Sequence, residues 1–165
     1  MSETIRWRMF ESSFGSMLVA ASARGICRVG FGVDAGDLAN RFPGARTCED
    51  VQDADGLFRR VAEAVENPRR IAEIPLDMGG TAFQRRVWEA LRRIPSGETV
   101  TYGELAAQLG DAKAGRAVGA ANGANRIAVL IPCHRVVQSD GSLGGYAWGL
   151  DMKRELLRRE GALLL

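Results

Sequence analysis

Histidine occurs once in this chain of 165 residues, and cysteine three times. That poverty excludes a good deal. A zinc site built on Cys-x-x-Cys pairs has no counterpart, and the one histidine, His134, stands directly beside Cys133. Cys27, Cys48 and Cys133 are odd in number and widely spaced. They do not form a disulfide framework, which predicts a reducing compartment. No apolar run is long enough to span a bilayer, and the opening "MSETIRWRMFESSF" lacks the apolar core of a signal peptide, so a cytoplasmic protein is expected. Neither sign of charge dominates, with 22 Lys+Arg against 20 Asp+Glu, but the halves differ. Residues 1–80 carry 10 basic and 12 acidic side chains, and residues 81–165 carry 12 and 8. A basic second half suits an anionic partner such as nucleic acid, but four charges alone favour a well-solvated surface.

Hydrophobic content of 46% and charged content of 25% are those of a globular chain with a core. The first third reads as strands. Ile5, Trp7 and Met9 alternate with Arg6 and Arg8, and the turns "SFGS" and "ARG" separate "MLVAAS" and "ICRVGFG". An antiparallel meander is expected, with Cys27 buried and inert in its third strand. "AGDLANRF" predicts a short helix, and Leu57, Phe58, Val61 and Val65 predict a second one ending near Pro68. Cys48 falls in the polar loop between them. An extended linker follows, "RRIAEIPLDMGG", and the expected division lies between residues 1–75 and 76–165.

Beyond the linker the pattern turns helical. Thr81-x-x-Gln84 and Thr101-x-x-Glu104 are capping boxes, each opening a helix. Phe83, Val87, Trp88 and Leu91 make one apolar face. "TYGELAAQLG" and "AKAGRAVGAANGAN", joined at Gly110-Asp111 with Asp111 as the expected cap, resemble a helix-turn-helix. The second helix is almost all Ala and Gly with Arg116 projecting. Such a helix suits tight internal packing or close approach to nucleic acid, and the pattern alone favours neither. "IAVLI" reads as a β-type run into Pro132-Cys133-His134-Arg135. A Gly-rich loop and a last helix, "LDMKRELLRREG", complete the chain.

A thiol is mostly protonated at neutral pH, and the thiolate is the nucleophile. A histidine that takes the proton, directly or through a water, raises its reactivity, and a carboxylate can orient that histidine. Neighbours on an extended chain point apart, so Cys133 and His134 can cooperate only where the chain turns, and Pro132 supplies a fixed entry. Glu160 is the carboxylate within reach if the last helix packs back over the loop. A lone Cys-His pair is otherwise most often coincidence.

"IPCHRVV", "GGYAWGLDMKRELLRREG" and "RAVGAANGAN" together resemble the O6-alkylguanine-DNA alkyltransferase family, and the likeness runs in the family's order through "SSFGSMLVAASARGICRVGFG" and "DMGGTAFQRRVWEALRRIPSGETVTYGELAAQLG". "YAWG" resembles the form in the C-terminal domain of bacterial Ada proteins. The resemblance implies an α+β fold: an N-terminal ribonuclease-H-like layer of strands and helices, then a C-terminal winged helix-turn-helix domain carrying the cysteine. It implies one irreversible transfer of an alkyl group, mainly methyl, from O6-alkylguanine (and O4-alkylthymine) in duplex DNA to Cys133. The recognition helix would enter the minor groove, and the damaged nucleotide would be flipped out. His134 is then the base, Glu160 the carboxylate behind it, and Tyr102 the donor to guanine N3. Asn125 holds the helix against the active-site segment. Arg116 fills the gap in the duplex, with Tyr102, Ala117, Gly119, Ala121, Asn122 and Arg135 at the DNA surface, Arg135 also bracing its loop. The carbonyls of Cys133 and Val136 and the N–H of Ala147 read the guanine edge, Tyr146 and Trp148 wall the pocket, and Lys153 braces the loop. No cofactor, metal, membrane or obligate protein partner is implied, and the protein would be a monomer.

The resemblance departs in places. Asn125 is followed by Arg126 where proline is common, and Trp148 stands where glycine is common, which predicts slow reaction of benzyl-sized groups. The Cys-rich zinc domain of Ada has no counterpart in these residues, so transcriptional activation is not expected. An alkylated thiol in a packed site is expected to destabilise the fold by overpacking. Three rival readings are a relative that grips alkylated DNA without repairing it, a helix-turn-helix transcription factor, and a thiol hydrolase. Cys133, His134 and Glu160 speak against the first two, and no oxyanion site announces the third.

Overall fold

A computed structural model describes residues 3–70 and 73–162. The chain divides into two compact units, Met1–Gly79 with Arg126–Ala128, and Gly80–Asn125 with Val129–Leu165. The division thus falls at Gly79/Gly80 rather than after residue 75. The reason is local: Ile26 N–H donates to Pro75 O and Asp77 N–H donates to Ile26 O, which ties residues 75–77 to the first unit.

In the first unit, β1 (Thr4–Ser12), β2 (Gly15–Ser22) and β3 (Gly25–Phe31) form the expected meander. Helix α1 (Gly36–Arg41) then leads to β4 (Arg46–Glu49), which pairs parallel to β1 and gives the sheet order β3-β2-β1-β4. Cys48 therefore lies in a strand, not a loop, and its side chain is exposed. Nothing in "RTCE" alternates, because an edge strand with all four residues exposed has no apolar face to announce it. Ile5, Leu18, Ala20, Cys27 and Leu38 form one core cluster, with Trp7, Met9 and Phe42 packed around it. Burial there pushes the Cys27 thiol up to about 12, helped by Asp77 and Glu3, so it stays protonated and inert.

Helix α2 (Leu57–Glu66) packs on β1 and β2 through its buried Phe58, Val61 and Val65. Its first turn has no side-chain cap at Gly56. Asp53, fully buried and at φ +46°, supplies the acceptors instead, from Phe58 N–H at 3.0 Å and Arg59 N–H at 2.9 Å. Gly25 must be glycine: at φ +151° a Cβ would sit 2.6 Å from Pro75 O.

The second unit holds the helical half. Both capping boxes are formed, at Thr81 on α3 (Ala82–Arg92) and at Thr101 on α4 (Tyr102–Gln108). Each satisfies two orphan N–H groups at about 1 kcal/mol per cap. Trp88 locks α3 to α5 (Gly115–Gly123), its Nε1–H donating to Ala121 O at 2.8 Å. Gly80, at φ +76°, leaves room for that indole, since a Cβ there would lie 2.6 Å from Trp88 Cζ3. Asp111 does not cap α5. Its Oδ1 accepts from Lys113 N–H inside the turn, and the helix begins only at Gly115. The expected β-run 127–131 is not a strand either: beyond a single bridge at Ile127 it is a buried turn with Val129 at φ +69°. A short parallel pair, β5 (Val100–Thr101) with β6 (Val136–Val137), joins the start of α4 to the end of the Cys-His segment. Helix α6 (Leu150–Glu160) closes the unit. Among the described residues no helix is long and apolar enough to cross a membrane.

Candidate active site

Pro132 delivers the chain into a 3-10 turn, Cys133–Arg135, so that Cys133 and His134 are not splayed as they would be on a strand. The turn is buried throughout, with Cys133 8% and His134 0% exposed. Helix α6 packs against it and brings Glu160, also buried, to both its basic neighbours. His134 Nε2 lies 3.1 Å from Glu160 Oε1. Arg135 donates from Nε to both carboxylate oxygens and from Nη2 to Oε2, and its Nη1 donates to Ile94 O at 2.7 Å. Burial alone would raise the Glu160 carboxyl, but His134 and Arg135 outweigh it and hold it below its ordinary value. It is therefore an anion facing His134.

Burial lowers the His134 pKa, which the facing carboxylate only partly opposes, so the imidazole is neutral near pH 7. Glu160 needs a donor, and the tautomer that provides one carries its proton on Nε2. Nδ1 then holds the free lone pair. It is buried and has no partner among the described residues. Burial likewise raises the Cys133 thiol above its ordinary value, against the smaller opposing effects of Asn125 and Lys153. The resting pair is a thiol and an imidazole. A base is then required at the moment of attack, because no thiolate is stored in advance.

Cys133 opens onto a cavity of about 260 Å³. Tyr102, Asn122, Asn125, Tyr146 and Trp148 line it, with Gly119, Gly123, Gly145 and Ala147 between them. Asn125 Nδ2 donates to Ile131 O at 2.8 Å and to Cys133 Sγ at 3.3 Å. Burial, and then the thiol nearby, raise the Tyr102 phenol, with Asn122 opposing them, so Tyr102 keeps its proton and can donate it. The Tyr146 ring stands edge-on to His134, centroids 6.5 Å apart, and its buried hydroxyl has no partner among the described residues. A second, open groove of about 310 Å³ runs along the outer side of α5, lined by Gly115, Arg116 and Gln138, and shares Tyr102 and Gly119 with the cavity. Arg116 and Ala117 are exposed on that helix.

Several expected placements change. Arg135 does not face DNA: its guanidinium is 5% exposed and consumed by Glu160 and Ile94. Ala121 is 3% exposed, turned inward against Trp88, and Asn122, 6% exposed, lies in the cavity wall rather than on the outer face of α5. Val136 and Lys153 stand behind the pocket rather than in it. Lys153, fully buried, donates to the carbonyls of Val136, Leu143 and Gly145, which pins the loop after β6 to α6. Sequence reasoning missed Gly123 and Gly145, whose lack of side chains leaves the cavity its width. Their only signal was membership of glycine-rich stretches.

Residues 82–162 match the DNA-binding domain of 6-O-methylguanine DNA methyltransferase. Over 164 residues the chain is 40% identical to the methylated-DNA–protein-cysteine methyltransferase of Methanosarcina acetivorans, covering 94% of this chain and 98% of that protein. The chain belongs to the methylated-DNA–protein-cysteine methyltransferase family. Within it, the regulatory protein Ada of Salmonella typhimurium is 46% identical over 165 residues, covering 95% of this chain and 46% of the relative. The chain thus spans about half the length of the curated family members it first matches. Among solved structures of the family, Mycobacterium tuberculosis OGT in complex with DNA superposes with a TM-score of 0.75 at 34% identity, over 96% of this chain and 93% of that one. That agreement extends to the α+β architecture.

Proposed function

We propose that the protein repairs DNA by transferring an alkyl group, mainly methyl, from O6-alkylguanine in duplex DNA to Cys133, once per molecule. One observation carries the reading: a buried thiol opens onto a base-sized cavity while a neutral histidine, oriented by a buried carboxylate, adjoins it in sequence. Cys133 Sγ attacks the alkyl carbon, a carbon–sulfur bond forms, and the carbon–O6 bond breaks with its electrons left on guanine. His134 takes the thiol proton. Tyr102 donates to guanine N3 as negative charge builds on the leaving base. Redistribution of those protons returns neutral guanine. A thioether is a poor leaving group, so the product is final.

Arg116 and Ala117, exposed along the open groove on α5, support a minor-groove contact in which Arg116 fills the space of the flipped nucleotide. Asn125, donating to both Ile131 O and Sγ, holds α5 to the active-site segment. We read the first unit as the ribonuclease-H-like layer, supported by three antiparallel strands followed by a parallel fourth, and the second as a winged helix-turn-helix. The protein acts without cofactor or protein partner, as a monomer, in the cytoplasm. The test is intact-protein mass after mixing with excess duplex carrying one O6-methylguanine, with Cys133→Ser beside it. A single added methyl on Cys133, with loss of the lesion, is the expected result. Tight binding with no mass gain would place the protein among lesion binders.

A further inference from the structure

Residues 126–128 belong to the first unit, although their chain neighbours on either side, Asn125 and Val129, belong to the second. The three residues run along the edge of β3. Val29 N–H donates to Arg126 O at 3.0 Å, Ala128 N–H donates to Val29 O at 3.2 Å, and the fully buried Ile127 bridges to Val29 in parallel.

Both ends of this span lead to the thiol. Val129 lies at φ +69°, a left-handed conformation that a β-branched residue keeps only where its surroundings over-determine it. That strained turn stands four residues before Cys133 and sends the chain into the buried Cys-His segment. At the other end, Asn125 lies past the last residue of α5, Gly123, and its own N–H reaches Asn122 O only at 3.4 Å. Its amide nevertheless has to serve Ile131 O and Cys133 Sγ together.

The Arg28 guanidinium, 1% exposed on β3, closes on the span. Its Nη1 donates to Arg126 O at 3.1 Å, while Nε and Nη2 donate to the two oxygens of Asp37 at 2.7 and 3.3 Å. Gly30 leaves the fork its place, since a Cβ there would stand 3.0 Å from Arg28 Cζ. Arg126 O already holds the Val29 N–H, so backbone pairing does not require this further donor. A buried ion pair is also weak grounds for stability. What the rigid fork adds is direction: it fixes the Arg126 carbonyl relative to a carboxylate on α1.

We propose that Arg28, anchored by Asp37, is a positioning residue for alkyl transfer. It holds the span 126–128 and thereby, through the chain at its two ends, the Asn125 amide and the Cys133 thiol. The inference rests on the alkyl-transfer reading above.

The experiment is single-turnover methyl transfer to the whole chain from saturating O6-methylguanine duplex, followed by intact-protein mass. The fraction methylated reports how much protein is folded, and the rate constant of that fraction reports how well the thiol is placed. Arg28→Met with Asp37→Leu removes both charges together, so neither is stranded. A full fraction methylated with a rate constant lowered about tenfold or more is expected, because in-line attack is sensitive to small displacements. Arg28→Lys keeps a buried cation for Asp37 but loses the fork, and the same slowing is expected of it. An unchanged rate constant in either folded variant would overturn the proposal, as would a lowered fraction methylated at the unaltered rate. Failure of both variants to fold would overturn it too and make the pair a stability element only. No transfer by the unaltered protein would instead refute the alkyl-transfer reading itself, and this inference with it.

Discussion

Glu160→Gln separates two duties of one carboxylate. Glu160 is 2% exposed and sits against His134 on one side and the Arg135 guanidinium on the other. The substitution keeps the shape and an acceptor for His134 Nε2–H. It removes the charge, and Arg135, 5% exposed, is left buried without a counter-ion. Breaking a buried pair in this way costs about 3–5 kcal/mol, a large part of the ~5–15 kcal/mol that holds a domain folded. For a chain of this length that is a fall in Tm of roughly 6–20 °C. Arg135→Met in the same chain removes the stranded charge and is expected to restore most of the loss, because the two sites are coupled. Methyl transfer should not recover with it, since the negative charge that stabilises His134 once it has taken the thiol proton is still missing. Urea unfolding of the single and double variants, followed by mass analysis of each with O6-methylguanine duplex, checks both halves. The Glu160 carboxyl is held below its ordinary value, so its contribution is present above pH 4.5 and lost as pH falls through the folded value. Glu160→Gln should lack that acid limb. A loss under about 1 kcal/mol, or full activity in the double variant, would refute the reasoning.

Three further outcomes are expected. Burial lowers the Lys153 ammonium to about 8 from 10.5, against the opposing pull of Cys133, so between those pH values the unfolded chain binds the extra proton. Stability should rise across that window by up to about 3 kcal/mol relative to Lys153→Met, and parallel pH curves for the two proteins would count against it. Methylated Cys133 should melt a few degrees lower, but not through volume. The cavity of about 260 Å³ at Cys133 has room for one added methyl group, so overpacking is not the expected cause. The added methyl crowds the Asn125 donor that reaches Sγ at 3.3 Å, and disturbing that bond costs up to about 1 kcal/mol. Calorimetry should find the effect absent in Asn125→Ala, and a methylated protein melting at or above the unmodified one would contradict this. Trp148 lines the cavity, so Trp148→Gly should raise the benzyl-to-methyl rate ratio. An unchanged ratio in single-turnover kinetics would clear Trp148 of that role.

Much of this molecule was legible before its structure, and what was not has a physical reason. The meander, the two capping boxes and the long helices are written in local pattern, where propensity, period and cap agree. The Cys-His turn and Glu160 were legible through the family resemblance, since a lone Cys-His pair with a distant carboxylate is most often coincidence. The failures lie where tertiary pairing decides. Strand β4 exists because β1 offers a free edge. Val100 and Val136 become strand residues only in each other's company. The "IAVLI" segment is apolar because it is buried, and burial alone does not distinguish a strand from a turn. Arg135, Ala121 and Asn122 were placed at the DNA surface as part of what the resemblance implies. The ion pair with Glu160 and the Trp88–Ala121 bond turn the first two in, and the third faces the cavity.

If the protein is consumed by its first reaction, as proposed, its unreacted thiol must last until that reaction. Cys133 is 8% exposed and its thiol is held in the protonated form by burial, while Cys48 stands open to solvent on β4. Small soluble electrophiles and oxidants therefore meet Cys48 first, and the thiol that matters waits behind Asn125, Tyr146 and Trp148. Sluggishness toward everything in solution is then the condition for being unspent when the proposed substrate enters the cavity at Cys133.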